Sequence, residues 1–160
     1  MASVVLAFTL LLVIILIGII FDIIGIAAAA AKEAPFHAKA AKKIKGATQS
    51  LKIVRNADRV ASFCNDVVGD IAGTLSGAIG AAIALKLIII GNNEVGELVA
   101  GTVMAGFVAA ITVGGKAWGK NFAIYQATEI ISRVGLVLAV LESLLGLKLF
   151  NGIPKKGRRT

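Results

Sequence analysis

Residues 1–21 read MASVVLAFTLLLVIILIGIIF and carry no charge. A hydrocarbon core about 30 Å thick is crossed by about 20 apolar helical residues, so this run predicts a membrane span over residues 3–24. A secretory leader is the rival reading. It would need a basic start and an apolar core of about 7–15 residues, whereas the first basic residue here is Lys32 and the run is longer. Ala27–Ala31 offers the small residues of a cleavage site, so both readings stay open.

Outward from that run the composition agrees with it. Of the 160 residues 58% are hydrophobic and 16% charged, with mean hydropathy +0.89. Soluble domains carry nearer a quarter charged. The net charge of +8 lies between and after apolar runs, and aromatic residues make up 6%. That placement fits anionic lipid headgroups better than nucleic acid. Cys64 is the single cysteine and His37 the single histidine, which excludes an intrachain disulfide and a multi-cysteine zinc site.

Between Lys32 and Arg59 stand eight Lys and Arg against Glu33 and Asp58, a net of +6. Residues 32–62 form a basic juxtamembrane linker. Pro35 breaks or starts a helix there, and Ala38–Lys45 and Gln49–Ala61 are helix-prone on either side of a break at Gly46. A second apolar stretch, residues 67–90, is long enough to span; its Lys86 lies near one end, from where it can snorkel. GNNEVGE, Gly91–Glu97, has two Glu and no Lys or Arg. Residues 98–115 give a third span. Lys116, Trp118, Lys120 and Tyr125 then look like an interfacial belt.

Val134–Phe150, interrupted by Glu142 and Lys148, reads as an amphipathic or juxtamembrane helix, with a fourth span as the alternative. The last ten residues, 151–160, read as a basic disordered tail. The expected fold is therefore all-α: three transmembrane helices, cytoplasmic juxtamembrane helices and a C-terminal amphipathic helix, in one domain over 1–150. Lys and Arg in the first loop and after the third span place those segments inside, the N-terminus outside and the C-terminus in the cytoplasm.

Two patterns on the second span bear on function. Gly69, Gly73, Gly77 and Ala81 recur every four residues, so they share a smooth face where helices approach closely. That face serves packing within one subunit or a seam between two; Gly101, Ala105 and Ala109 match it on the third span. Asp66, Asp70 and Thr74 also share a face, with Asn65 on the adjoining glycine face. Their oxygens suit hard cations such as Mg²⁺. Carboxylates deep in a membrane face a cavity, a partner charge or an ion. If Asp70 instead lies at the inner interface, it caps the helix or pairs with Arg55 or Arg59. Asp22 either faces the bundle interior or marks the membrane boundary. Catalytic signals are missing: one His, no nucleophile beside a base, no glycine-rich phosphate loop. Glu33 and His37, four apart, read as a surface pair.

Glu33-Ala34 after an Ala-rich first span, a basic helical linker, and Arg59, Asn65-Asp66 and Asp70-Ile71 opening the second span resemble the transmembrane domain of the CNNM/CorC magnesium transporters. GGKAWGKNFAIYQATEIISRVG, Gly114–Gly135, is similar to that family's region after its third span, with Lys116 or Lys120 and Ala123 matching its Pro-Lys and following Ala. The resemblance implies a homodimer with three spans per subunit in a bacterial-type plasma membrane, and a cytoplasmic belt. It also implies a Mg²⁺ site where the first and second spans meet, with Mg²⁺ as substrate ion and no covalent cofactor. The family's Asn near the start of the second span matches Asn65 or Asp66, and its other Asn matches Asp70.

Two departures stand beside that match. Where the family has Ser ligands on the first span, this sequence has Ala30 and Ile26. The sequence stops before a CBS pair, so nucleotide-dependent gating is not expected. Transport or binding of a divalent cation through Asn65, Asp66, Asp70 and Asp22 is the leading expectation. A degenerate, non-transporting structural or regulatory membrane subunit is the alternative. A cationic membrane disruptor is a third reading, against which several distinct spans argue.

Overall fold

The computed structural model describes residues 2–88 and 94–145, and side chains over 4–86 and 99–144. The centre of the acidic turn, residues 91–93, the end of the expected last helix and the basic tail lie outside the described residues. The described backbone is helical: α1 (Ala2–Ala30), α2 (Glu33–Ala41), α3 (Ala47–Arg55), α4 (Ala57–Ser62), a π-helical turn (Phe63–Val68), α5 (Gly69–Ile88), α6 (Glu94–Tyr125) and α7 (Ala127–Leu145). Among the described residues three helices are long and apolar enough to cross a membrane: Val4–Ala30, Ala57–Lys86 and Val99–Tyr125.

Local chemistry sets the breaks. Lys32 is extended (φ −88°, ψ 144°) and separates α1 from α2. Pro35 falls in the first turn of α2, where its missing N–H has no helical acceptor to lose. Between α2 and α3 the chain turns through Lys43 (φ 54°) and Gly46 (φ 85°), both left-handed. Glycine adopts that conformation without a Cβ penalty. Asn56 (φ −116°, ψ 31°) bends α3 away from α4, and its side-chain amide donates to the Lys52 carbonyl at 2.8 Å. From Ala57 the rod runs unbroken through α4, the π turn and α5.

The third apolar helix differs from its expected bounds. Gly114 and Gly115 do not end it, and α6 continues through Lys116–Tyr125 before the joint at Gln126. The reason is packing: a Cβ on Gly115 would run into Ile19, and one on Gly119 would meet Ile23 at 2.8 Å. These glycines let α6 lie against α1 for two further turns. The last helix likewise starts at Ala127 rather than near Val134.

Buried apolar side chains form two clusters. The upper one joins Leu11 and Ile15 of α1, Ile83 and Ala84 of α5, and Met104 and Val108 of α6. The lower one joins Ala27 and Ala28 of α1, Phe36 of α2, Ile53 and Val54 of α3, Ala123 of α6, and Ala127 and Ile131 of α7. Around the upper cluster the outward residues are large and apolar: Leu6, Leu10, Val13, Ile17, Val103 and Phe107 are all exposed. An apolar exterior over a thin core is the pattern of helices solvated by lipid.

The lower layer closes through a tight crossing of α3 over α7. A Cβ on Gly46 would come within 2.6 Å of the Leu136 backbone, and one on Gly135 would come within 2.7 Å of the Gly46 carbonyl and strike the Ser50 hydroxyl. Ser50 is fully buried, and its hydroxyl lies 3.0 Å from the Gly46 carbonyl and 2.9 Å from the Ile131 carbonyl, donating to one at a time.

Candidate functional site

Helix contacts fix the relative depth of the polar residues. Gly18 of α1 sits against Ala72 of α5, Gly115 of α6 against Ile19, Gly119 against Ile23, and Gly25 against Cys64 and Asn65. Asp22 therefore shares a level with the start of α5 and with Lys116. On one side of that level run Val4–Phe21, Ile71–Leu85 and Val99–Gly115; the first of these, at 1.5 Å per residue, covers about 27 Å, close to the roughly 30 Å of a hydrocarbon core. On the other side lies the lower layer. Asp22 thus faces the bundle and at the same time stands at the base of the apolar band.

Its partner comes from 94 positions along the chain. The Lys116 ammonium is 3.7 Å from Asp22 Oδ1, with the carboxylate side chain 13% exposed and the lysine 31%. Gly69 lies beside it: a Cβ there would stand in ordinary contact, 3.5 Å from Lys116 Nζ. One turn below, Asn65 Oδ1 is buried with no hydrogen-bond partner, and it points at Gly25, where a Cβ would lie 2.7 Å away. The Asp22–Lys116 pair beside Gly69, with Asn65 against Gly25 one turn below, makes a small polar cluster between α1, the π turn and α6.

The faces grouped by fourfold spacing carry through the π turn. Asn65 lies against Gly25 of α1 and Gly69 is buried beside Lys116, while Asp66 and Asp70 are exposed. Thr74, next on that outer face, donates to the Asp70 backbone carbonyl at 2.8 Å. Of the expected cation ligands, Asp22 and Asn65 face the same seam about one turn apart, and Asp66 and Asp70 do not join them. Among the described residues no three of His, Cys, Asp and Glu gather as a metal-holding group.

The expected glycine face is also divided. Gly69 is buried beside Lys116, whereas a Cβ added at Gly73 or Gly77 would meet nothing within 4 Å. They line an open cleft of about 530 Å³ between α5 and α6, with Gly80, Ala81, Gly101 and Ala105. Close approaches between the long helices are made by Gly18, Gly25, Gly80, Gly115 and Gly119 instead.

A second polar group lies on the lower layer. Arg55 Nε donates to Glu33 Oε2 at 3.2 Å, and His37 Nε2 lies 3.2 Å from the same oxygen and 3.2 Å from Arg55 Nη2. His37 Nε2 donates to Glu33 when protonated and accepts from Arg55 when not. The Arg55 hydrogen bond, and after it that of His37, holds the Glu33 carboxyl below its ordinary range. Arg55 is thus engaged with Glu33, not with Asp70. Between α3 and α7, Gln49 Nε2 donates to Glu142 Oε2 at 2.8 Å, while Glu142 Oε1 is buried without a partner.

No protein-family profile, curated protein or solved structure matches this chain. The class is accordingly defined by the fold itself: a helical protein with three helices able to cross a membrane and a polar cluster at their base.

Proposed function

We propose that this chain is an integral membrane subunit, distantly of the CNNM/CorC type, whose cation pocket is satisfied by its own lysine, so that it does not transport. The observation that carries the reading is the Lys116 ammonium lying 3.7 Å from Asp22 beside Gly69. An ammonium there supplies the positive charge that a hard cation would bring, and it repels a divalent ion entering the same pocket. The outward placement of Asp66 and Asp70 and the apolar Ala30 and Ile26 point the same way. The Lys and Arg bias supports a lower layer inside the cell and an N-terminus outside.

A second reading, binding of Mg²⁺, is favoured by one atom. Asn65 Oδ1 is a buried oxygen without a partner, and such an acceptor is stabilised by a cation or a donor.

Purified chain in liposomes tests the two. The proposal expects no Mg²⁺ flux above empty vesicles and no rise in melting temperature with Mg²⁺ beyond an ionic-strength control. Flux in the wild-type chain that disappears in Asp22→Asn would overturn it and establish the second reading.

A further inference from the structure

α7 presents two faces of different chemistry. Ile131, Val134 and Leu138 turn inward to the lower cluster. Leu136, Val137, Val140, Leu141 and Leu144 turn outward and are exposed, Leu144 to 75%. Their spacing of one, three, one and three residues puts all five on one side of the helix. Ile44, 50% exposed, extends the stripe, because the neighbouring Gly46 lies against the Leu136 backbone.

Charge identifies what covers this stripe. Lys42, Lys43 and Lys45 flank Ile44 and are exposed, and Arg133 heads the same side of α7. A second copy docking here would bring two such clusters together, and like charges at an interface are costly. An anionic lipid surface meets both halves of the pattern, with acyl chains for the stripe and phosphates for the cations. Depth agrees. Trp118 and Tyr125 are 77% and 85% exposed on the last turns of α6, and such aromatics settle at headgroup level. α7 begins two residues after Tyr125.

We propose that the outward stripe of α7, together with Ile44, lies in the headgroup boundary of the leaflet at the basic end of the bundle, with Lys42, Lys43, Lys45 and Arg133 binding anionic lipid phosphates. The proposal rests on the three helices spanning the membrane and is independent of the Lys116 reading. The lower layer then grips the leaflet sideways in addition to being anchored by the spans.

The test uses the full chain carrying Cys64→Ala, with an environment-sensitive fluorophore on Val140→Cys, or on Leu144→Cys, in phosphatidylcholine vesicles with or without phosphatidylglycerol. The expected result is a blue-shifted emission and strong quenching by headgroup-region nitroxide lipids in the anionic vesicles. Both should weaken in phosphatidylcholine alone and in the Lys42→Gln, Lys43→Gln, Lys45→Gln variant. A fluorophore on Leu16→Cys reports the spans. If that control is lipid-quenched while α7 is quenched by aqueous iodide, the α7 proposal is overturned and the spanning reading stands. If neither is lipid-quenched, both fail. A disulfide-linked dimer through Val140→Cys would assign the stripe to a second copy, and equal insertion in both vesicles would overturn the phosphate assignment.

Discussion

The upper bundle and the lower layer are built from similar apolar residues, yet only the upper bundle mixes close-contact glycines with glycines that face open space. In the upper bundle Gly18, Gly80 and Gly115 seat side chains of neighbouring helices, while Gly73, Gly77, Gly101 and Gly106 face open space. In the lower layer Gly46 and Gly135 are pressed onto each other's backbones. The outer faces differ too: long aliphatic side chains above, and below lysines and arginines beside the apolar stripe of α7. The contrast is consistent with two solvents acting on one chain. Where lipid surrounds the helices, burying apolar surface brings little gain over leaving it exposed, so loose packing is tolerated. Where water reaches the surface, the core must be close-packed and its polar groups paired.

Gly135→Ala breaks the lower layer most severely. Its methyl would meet the Gly46 carbonyl and Ser50, and overpacking of this kind costs about 2–3 kcal/mol. Thermal unfolding in detergent followed by circular dichroism should show a large loss. An unchanged midpoint would mean that the two helices are not held as described.

Lys116→Met comes next, at the boundary between the regions. It leaves the Asp22 carboxylate largely buried and unpaired, at an expected cost of about 1–2 kcal/mol after allowance for the partial exposure of the pair. Asp22→Asn in the same chain should recover most of the loss, and the coupling between the two substitutions measures the pair. Additive effects would remove Lys116 from the pocket.

Gly73→Ala and Gly77→Ala sharpen the comparison from above. With open space at both positions, each should leave the stability unchanged or raise it by about 0.5–1 kcal/mol, the usual advantage of Ala over Gly in a helix. Destabilisation, or a drop in oligomeric mass by light scattering, would instead show that a second subunit fills the cleft, as the homodimer expectation requires.

The smallest effect concerns Glu33. Its folded pKa is lowered by Arg55 and then by His37, so the ionised carboxylate stabilises the fold above its unfolded pKa. That stabilisation is lost as pH falls through the lower folded value. The group is about half exposed, which limits the contribution to a few tenths of a kcal/mol. Glu33→Gln should lower the midpoint slightly at neutral pH and not at all in strong acid.

Much of this architecture is local and could be read directly. An uncharged run sets α1, and the turn at Gly46 follows from one residue type. The partnership of Asp22 with Lys116 is not local. Each residue ends an apolar run, and that shared position was the available sign that they meet; nothing in the spacing required it. Lys116 instead reads as part of an interfacial belt, because a lysine beside Trp118 is typical of one. The faces of the second span were less legible still. Fourfold spacing groups Asp66 with Asp70 correctly, but it cannot tell which face turns inward. Gly135 and Ser50 meet across 85 residues of chain, and neither is unusual in its own neighbourhood.

The winding at Phe63–Val68 carries a consequence for how this rod could vary. An α-helix advances about 100° per residue, so inserting or deleting one residue ordinarily swings everything beyond it to a new azimuth. A π turn absorbs such an insertion within a single loop of backbone. Deleting Val67 should tighten that loop to ordinary α winding, preserve the orientation of α4 and α5 within their own surroundings, and pull the Asn65 amide away from Gly25. The segment works like a clutch between two shafts, letting each keep its own angle while the chain stays continuous.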